Sequence, residues 1–368
     1  MREYLLTLLV AAAATYLLVG LAGRLAYRVG AVPPTRDRDV HRDPVPRLGG
    51  LAMLGGLLAA MLVASYLPAM SRELFEGATN VRALVASAAV ICLVGVADDI
   101  WSLSALMKFA GQLVAAGLLV VGGIRLVSLP LPGGTYLSFD EAQGTLLTIV
   151  LVVAAANAVN FVDGLDGLAA GVVGIGAAAF FSYAYLLAVE GNFSRLTTPA
   201  LVTAVLFGMC LGFLPHNVHP ARVFMGDSGS MLIGLMLAAA SISLTGSFPV
   251  QDDDGVTLLP ALLPLFLPLA VIALPFTDML LAILRRTRAG RSPFAPDKQH
   301  LHHRLLEIGH SHGRAVFVMW VWAALLAFGV VVIALVGGWT APVVIGLALV
   351  ITVMFTTGHP KALLGHSH

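Results

Sequence analysis

Long apolar runs separated by short polar connections dominate this chain. Eleven are of spanning length, covering roughly 3–23, 48–68, 82–98, 107–124, 142–157, 167–188, 199–215, 229–247, 258–284, 316–336 and 340–357. A bilayer core needs about 20 apolar residues per helix, and only helices or closed barrels satisfy their backbone there, so these runs predict transmembrane helices. Gly and Ala recur in the fourth and sixth runs, which favours close helix packing. Between the fourth and fifth runs, RLVSLPLPGGTYLSF (125–139) alternates around a Pro-Gly-Gly turn and predicts a short β-hairpin on the outer surface. The first run reads as a first span rather than a cleaved leader, because more spans follow it. Without a repeat, a low-complexity tract or a soluble region, 1–368 reads as one all-α polytopic transmembrane domain.

Composition agrees with the pattern. Hydrophobic residues make up 58% of the 368 and charged residues only 11%, against about 25% in soluble domains. The net charge of +1 singles out no partner class, and no nucleic-acid partner is expected. Cys92 and Cys210 lie within apolar runs and read as small buried hydrophobes. The basic residues do change the picture. Alternating the connections between two faces puts 16 of the 21 Lys and Arg on one face, leaving Arg2, Arg72, Arg82, Arg125 and Arg195 on the other. Positive residues stay cytoplasmic, so the N-terminus is expected outside and the C-terminus inside.

All five connections with polar signatures fall on the basic face. They are DRDVHRDPVPRLGG (37–50), GVADDIWSLSALMKF (95–109), NAVNFVDGLDGLAAG (157–171), PHNVHPARVFMGDSGS (215–230) and FAPDKQHLHHRLLEIGHSH (294–312). They mark active-site loops near 24–47, 98–108, 157–167, 215–230 and 285–315. Asp98 and Asp99 end a helix, where the dipole disfavours carboxylates, and they repel each other. A divalent cation or a basic neighbour would offset both costs. Lys108 reads either as a snorkelling interface residue or as an active-site residue.

In the third connection, Asn157, Asn160, Asp163 and Asp166 follow a three-residue rhythm from the helix end into the loop. Two readings stand at this point. Asp-Gly steps make turns, with Asp166 capping the next helix; alternatively the polar set forms a site. FMGDSGS reads as the turn that starts a helix or, through its glycines, as a place for close approach to phosphate. It lacks the GK[ST] ending of a Walker A loop. His300, His302 and His303 have no accompanying cysteines; beside Lys298, Arg304, Arg285 and Arg286 they suit a cationic phosphate pocket better than zinc. Asp278, inside the ninth run, reads as an intramembrane functional carboxylate or as a partner for a local arginine. QDDDG (251–255) reads as a solvated loop, and the terminal HSH fragments as tail residues.

Taken in order, ADD, NAVNFVDGLDG, HNVHPARVFMGDSGS and DKQHLHHRL resemble the polyprenyl-phosphate N-acetylhexosamine-1-phosphate transferases (glycosyltransferase family 4) over nearly the whole chain. The split HLHHRL histidine motif looks like the undecaprenyl-phosphate GlcNAc-1-phosphate branch. The resemblance implies transfer of N-acetylglucosamine 1-phosphate from UDP-GlcNAc to undecaprenyl phosphate, releasing UMP and starting a cell-envelope glycan. It implies Mg²⁺, or Mn²⁺, as cofactor. It also implies a homodimer in the bacterial inner membrane with a cytoplasmic active site. For this chain it marks Asp227 as a metal ligand with Asn160 as a second. Asp98, Asp99, Asp163, Asp166, His300, His302 and His303 become catalytic candidates. Asn157, Asn217, Phe224, Lys108 and Arg304 become substrate-binding candidates. Sister transferases using UDP-MurNAc-pentapeptide or UDP-GalNAc are the near alternatives. A secondary transporter is the alternative from another class, but its site would lie at the midplane between repeated halves.

Overall fold

The computed structural model describes residues 1–32, 44–71, 79–130, 136–190, 197–245, 287–288, 311–336 and 340–357. Ten long helices match ten of the expected runs: α1 (Arg2–Val29), α2 (Gly49–Tyr66), α4 (Thr79–Trp101), α5 (Ala105–Val121), α6 (Glu141–Val162), α7 (Leu168–Glu190), α8 (Thr197–Asn217), α9 (Gly226–Thr245), α10 (His312–Val336) and α11 (Thr340–Thr357). A single turn, α3 (Pro68–Met70), follows α2. Eight of these helices are long and apolar enough to cross a membrane, and α5 is apolar but shorter. The ninth expected run, with Asp278, lies outside the described residues, as do 251–255 and the histidine segment at 300–304. Leucines such as Leu17, Leu62 and Leu146 are more than half exposed on the outer surface, which suits a chain whose solvent is lipid. The protein is therefore a multi-pass, all-α membrane protein.

Local signals explain the helix ends. Asp140 and Gln143 form a reciprocal capping box at the start of α6. Ser104 accepts from Met107 N at 3.3 Å to cap α5. Gly30, at φ 78°, closes α1. Ser128–Pro130 (β1) and Tyr136–Ser138 (β2) pair antiparallel, with Leu129 opposite Leu137. Several helices outrun their apolar stretches. α4 continues through Asp98 and Asp99 to Trp101, and α6 runs to Val162, so Asn157 and Asn160 both lie within a helix.

The axis of the bundle is α9. Every residue from Ser228 to Ile242 is buried, and α2, α4, α6 and α8 pack around it. Small side chains let the backbones meet. A Cβ added at Gly50 of α2 or at Gly95 of α4 would collide with α9 backbone at Ser228–Gly229, and one added at Gly234 of α9 would come 2.7 Å from Ala155 O of α6. The first turn of α9 is thereby wedged between α2 and α4.

Candidate active site

Four helix ends and two loops converge on the first turn of α9. Asp99, in the last turn of α4, accepts from Asp227 N at 3.0 Å and Ser228 N at 3.2 Å. It supplies the anionic cap that the unpaired N–H groups of a helix start require. Gly226 makes this geometry accessible: its φ is 71°, and a Cβ there would sit 2.8 Å from Asp99 Cγ. The adjacent acid faces elsewhere. Asp98 pairs with Lys108 Nζ at 2.8 Å, and Lys108 also pairs with Asp227. The Asp98 and Asp227 carboxylates are close enough to hydrogen-bond each other. Asp98 and Asp99, equivalent in the sequence, thus have separate environments, one open and one structural. Lys108, at the start of α5, is the basic neighbour of the open acids rather than a lone snorkelling residue.

The end of α6 borders this cluster. Asn160 donates to Ser230 Oγ at 2.9 Å and lies near the Asp227 carboxylate. Asp163, the residue after α6, is half-buried. Burial, followed by repulsion from Asp227 and Asp99, pushes its carboxyl up to about 7, partly opposed by Arg47. Asn157 lies one turn deeper, exchanging hydrogen bonds with Gln112 at 2.8 and 3.3 Å and donating to Val153 O. It ties α5 to α6.

Asp166 faces the other way. Its Oδ2 meets His219 Nδ1 at 2.8 Å and accepts from Ala221 N at 3.1 Å. Asn217, buried at the end of α8, accepts from Gly167 N and donates to Val223 O. Asp166 and Asn217 together lock the α6–α7 turn to the loop that leads into α9. Phe224 is half-buried in that loop, and its backbone bonds Pro46 O and Gly49 N. These bonds carry the Arg47 segment to the site, with Leu48 held at φ 80°, a value costly for a branched residue. Arg47, His219, Gln112 and Ser230 were not singled out from the sequence. The signals for Arg47 and His219 were only their places in polar loops. His300, His302, His303 and Arg304 lie outside the described residues.

The cluster therefore sets Asp98, Asp99, Asp163 and Asp227 against Lys108 and Arg47. An excess of carboxylate oxygen, two of the acids within hydrogen-bonding distance of each other, and a nearby amide form an all-oxygen donor set that suits a hard divalent cation. Mg²⁺ fits these residues.

A family model described as glycosyl transferase family 4 matches residues 81–245, which run from α4 through α9 and hold the whole described cluster except Arg47. A decaprenyl-phosphate N-acetylglucosaminephosphotransferase from Mycolicibacterium smegmatis is 46% identical over 97% of this chain and 88% of its own. The corresponding protein from Mycobacterium leprae is 48% identical over 89% of this chain and 83% of its own. An undecaprenyl-phosphate alpha-N-acetylglucosaminyl 1-phosphate transferase from Salmonella typhi is 30% identical over 85% and 79%. With motifs, fold and likeness in agreement, the chain belongs to glycosyl transferase family 4, the polyprenyl-phosphate N-acetylhexosamine-1-phosphate transferases.

Proposed function

We propose that this protein transfers N-acetylglucosamine 1-phosphate from UDP-GlcNAc to a polyprenyl phosphate and releases UMP. The observation that carries this reading is the Asp98–Lys108–Asp227 cluster at the converging helix ends, where a membrane-embedded lipid phosphate and a water-soluble nucleotide can meet. The near relatives named for decaprenyl phosphate support a decaprenyl acceptor ahead of the undecaprenyl one, and their names support N-acetylglucosamine as the sugar.

Both substrates are anionic, so the site must neutralise charge and fix geometry; a loose phosphoryl-transfer transition state leaves the protein little else to do. Asp227, with Asn160 beside it and Asp98 opposite, would hold Mg²⁺. The ion, when bound, screens the diphosphate and stabilises the leaving UMP oxygen. Lys108 holds Asp98 and Asp227 together before substrate arrives and supplies a positive charge to the entering phosphate. Asp98 is the open acid and engages the acceptor phosphate. Since a phosphate monoester has its second pKa near 6, positioning is its main task. Asp99 acts through α9, holding Asp227 in place. Asp163 and Arg47 border the nucleotide end; Asn157 ties α5 to α6, and Asn217 and Asp166 set the loops that carry Phe224. The histidine segment, His300, His302, His303 and Arg304, steadies the sugar phosphate. The polar end lies on the cytoplasmic face of the inner membrane, and the enzyme works as a homodimer.

The test incubates purified protein and Mg²⁺ with UDP-GlcNAc, UDP-GalNAc or UDP-MurNAc-pentapeptide. Each donor is paired with decaprenyl or undecaprenyl phosphate, and the lipid product is identified by mass. The expected product is polyprenyl-diphosphate N-acetylglucosamine. Turnover with another donor and none with UDP-GlcNAc overturns the assignment of the sugar.

A further inference from the structure

Asp166, His219 and His312 come from three separate elements: the α6–α7 turn, the loop after α8, and the first residue of α10. One ligand atom from each lies within 4.8 Å of the others. Asp166 is buried and its Oδ2 meets His219 Nδ1 at 2.8 Å. The His219 and His312 rings stack with centroids 4.4 Å apart and planes 26° apart. Asp166 is further fixed by Ala221 N at 3.1 Å. The carboxylate that anchors one imidazole thus lies beside a second imidazole, at the mouth of the bundle.

We infer that these three side chains form a transition-metal site, separate from the Asp98–Asp227 cluster, that takes Zn²⁺. Two imidazoles and one carboxylate are borderline donors that favour zinc over Mg²⁺. Three protein ligands with a fourth, water-filled position make an open tetrahedral centre. Ligand atoms around such an ion are roughly 3.3 Å apart at bonds of about 2.0–2.1 Å, so a bound ion would draw the three ligand atoms closer together than the 4.8 Å within which they now lie. His219 is the exposed member, giving the ion a path from bulk water. Bound zinc joins the start of α10 to the two loops that lead into α7 and α9.

The test needs no substrate, so it stands apart from the transfer reaction. Purified full-length protein, freed of metal with chelator, is titrated with Zn²⁺ by equilibrium dialysis and followed by thermal unfolding. The same titration is run on His219→Ala, His312→Ala and His219→Cys. The expected result is that each alanine variant binds one equivalent fewer than the parent, or binds it at least about 100-fold more weakly. Zinc should raise the parent's melting temperature by several degrees and leave the alanine variants unmoved. His219→Cys, which restores a ligand, should recover both effects, separating lost ligation from misfolding. His300, His302 and His303 stay in every arm, so only the difference counts. A parent that gains no equivalent over either alanine variant overturns the inference, as does failure of His219→Cys to recover binding.

Discussion

The two adjacent aspartates at the end of α4 should separate cleanly under substitution. Asp99→Ala removes an anion accepting from two α9 N–H groups at 3.0 and 3.2 Å, at a residue that is only 9% exposed. Hydrogen bonds to a charged group contribute about 1.5–3 kcal/mol each, and orphaned buried donors forfeit that. Loss of the favourable dipole interaction adds a few tenths or more. The sum is about 3 kcal/mol or more, equivalent to roughly 4 °C in melting temperature for a chain of this size. Asp98→Ala removes a partly exposed ion pair whose lysine keeps Asp227. Its stability change should therefore stay within about 1 kcal/mol. Activity should invert the order: Asp98→Ala and Asp98→Asn are expected to slow UMP release at least about 100-fold, or about 2.7 kcal/mol, in a protein that melts normally. The assay pairs thermal unfolding in detergent with release of radiolabelled UMP. An Asp99→Ala protein that melts within 1 °C of the parent, or an Asp98→Asn protein with full turnover, refutes the division of roles.

Three further substitutions probe the surroundings. Lys108→Met leaves Asp98 and Asp227 facing each other without their shared cation, so the Mg²⁺ concentration for half-maximal activity should fall while turnover drops at least about tenfold; unchanged turnover across a Mg²⁺ series counts against the bridging role. Gly226→Ala places a Cβ against Asp99 at φ 71°, and should cost about 1–2 kcal/mol from the left-handed backbone alone, read as a lower melting temperature that Gly313→Ala, with open space around it, does not share. Asp163 sets a pH dependence. Its folded value of about 7 lies above the ordinary carboxylate value near 3.9, so the stability that its protonated form contributes is complete below that ordinary value and is lost as pH rises through about 7. The same ionisation readies the site for a cation, so Mg²⁺ affinity should rise with pH up to about 7 and then level off. Asp163→Asn should flatten the profile, and a parent profile already flat between pH 5.5 and 8 contradicts the assignment.

Apolar run length reveals most of this fold, because lipid permits few alternatives to the helix. Ten expected spans have helices close to their predicted positions. The shared placement of the acids was legible too, since the positive-residue count put their connections on one face. The direction in which each acid points was not. Asp98 and Asp99 are neighbours in the chain and differ only in what α9 presents to them, a contact between residues 128 apart. Asp163 and Asp166 share a turn, yet one faces Asp227 and the other His219. The spacing of NAVNFVDGLDG treats them alike. Asn217, a substrate-binding candidate in the sequence, bonds Gly167 and Val223, a pair of contacts set by loop packing that no local pattern encodes. Arg47 is carried to the cluster by a segment whose Pro46 and Gly49 bond the backbone of Phe224, a long-range pairing invisible to periodicity.

The most direct test of the central claim follows lipid product formation from UDP-GlcNAc and decaprenyl phosphate by mass, with Mg²⁺ present or chelated, in the parent and in Asp227→Asn. The account predicts polyprenyl-diphosphate N-acetylglucosamine and equimolar UMP from the parent with Mg²⁺, none after chelation, and at least a 100-fold loss, about 2.7 kcal/mol, in a normally folded Asp227→Asn protein. Full metal-dependent product formation by Asp227→Asn would contradict it.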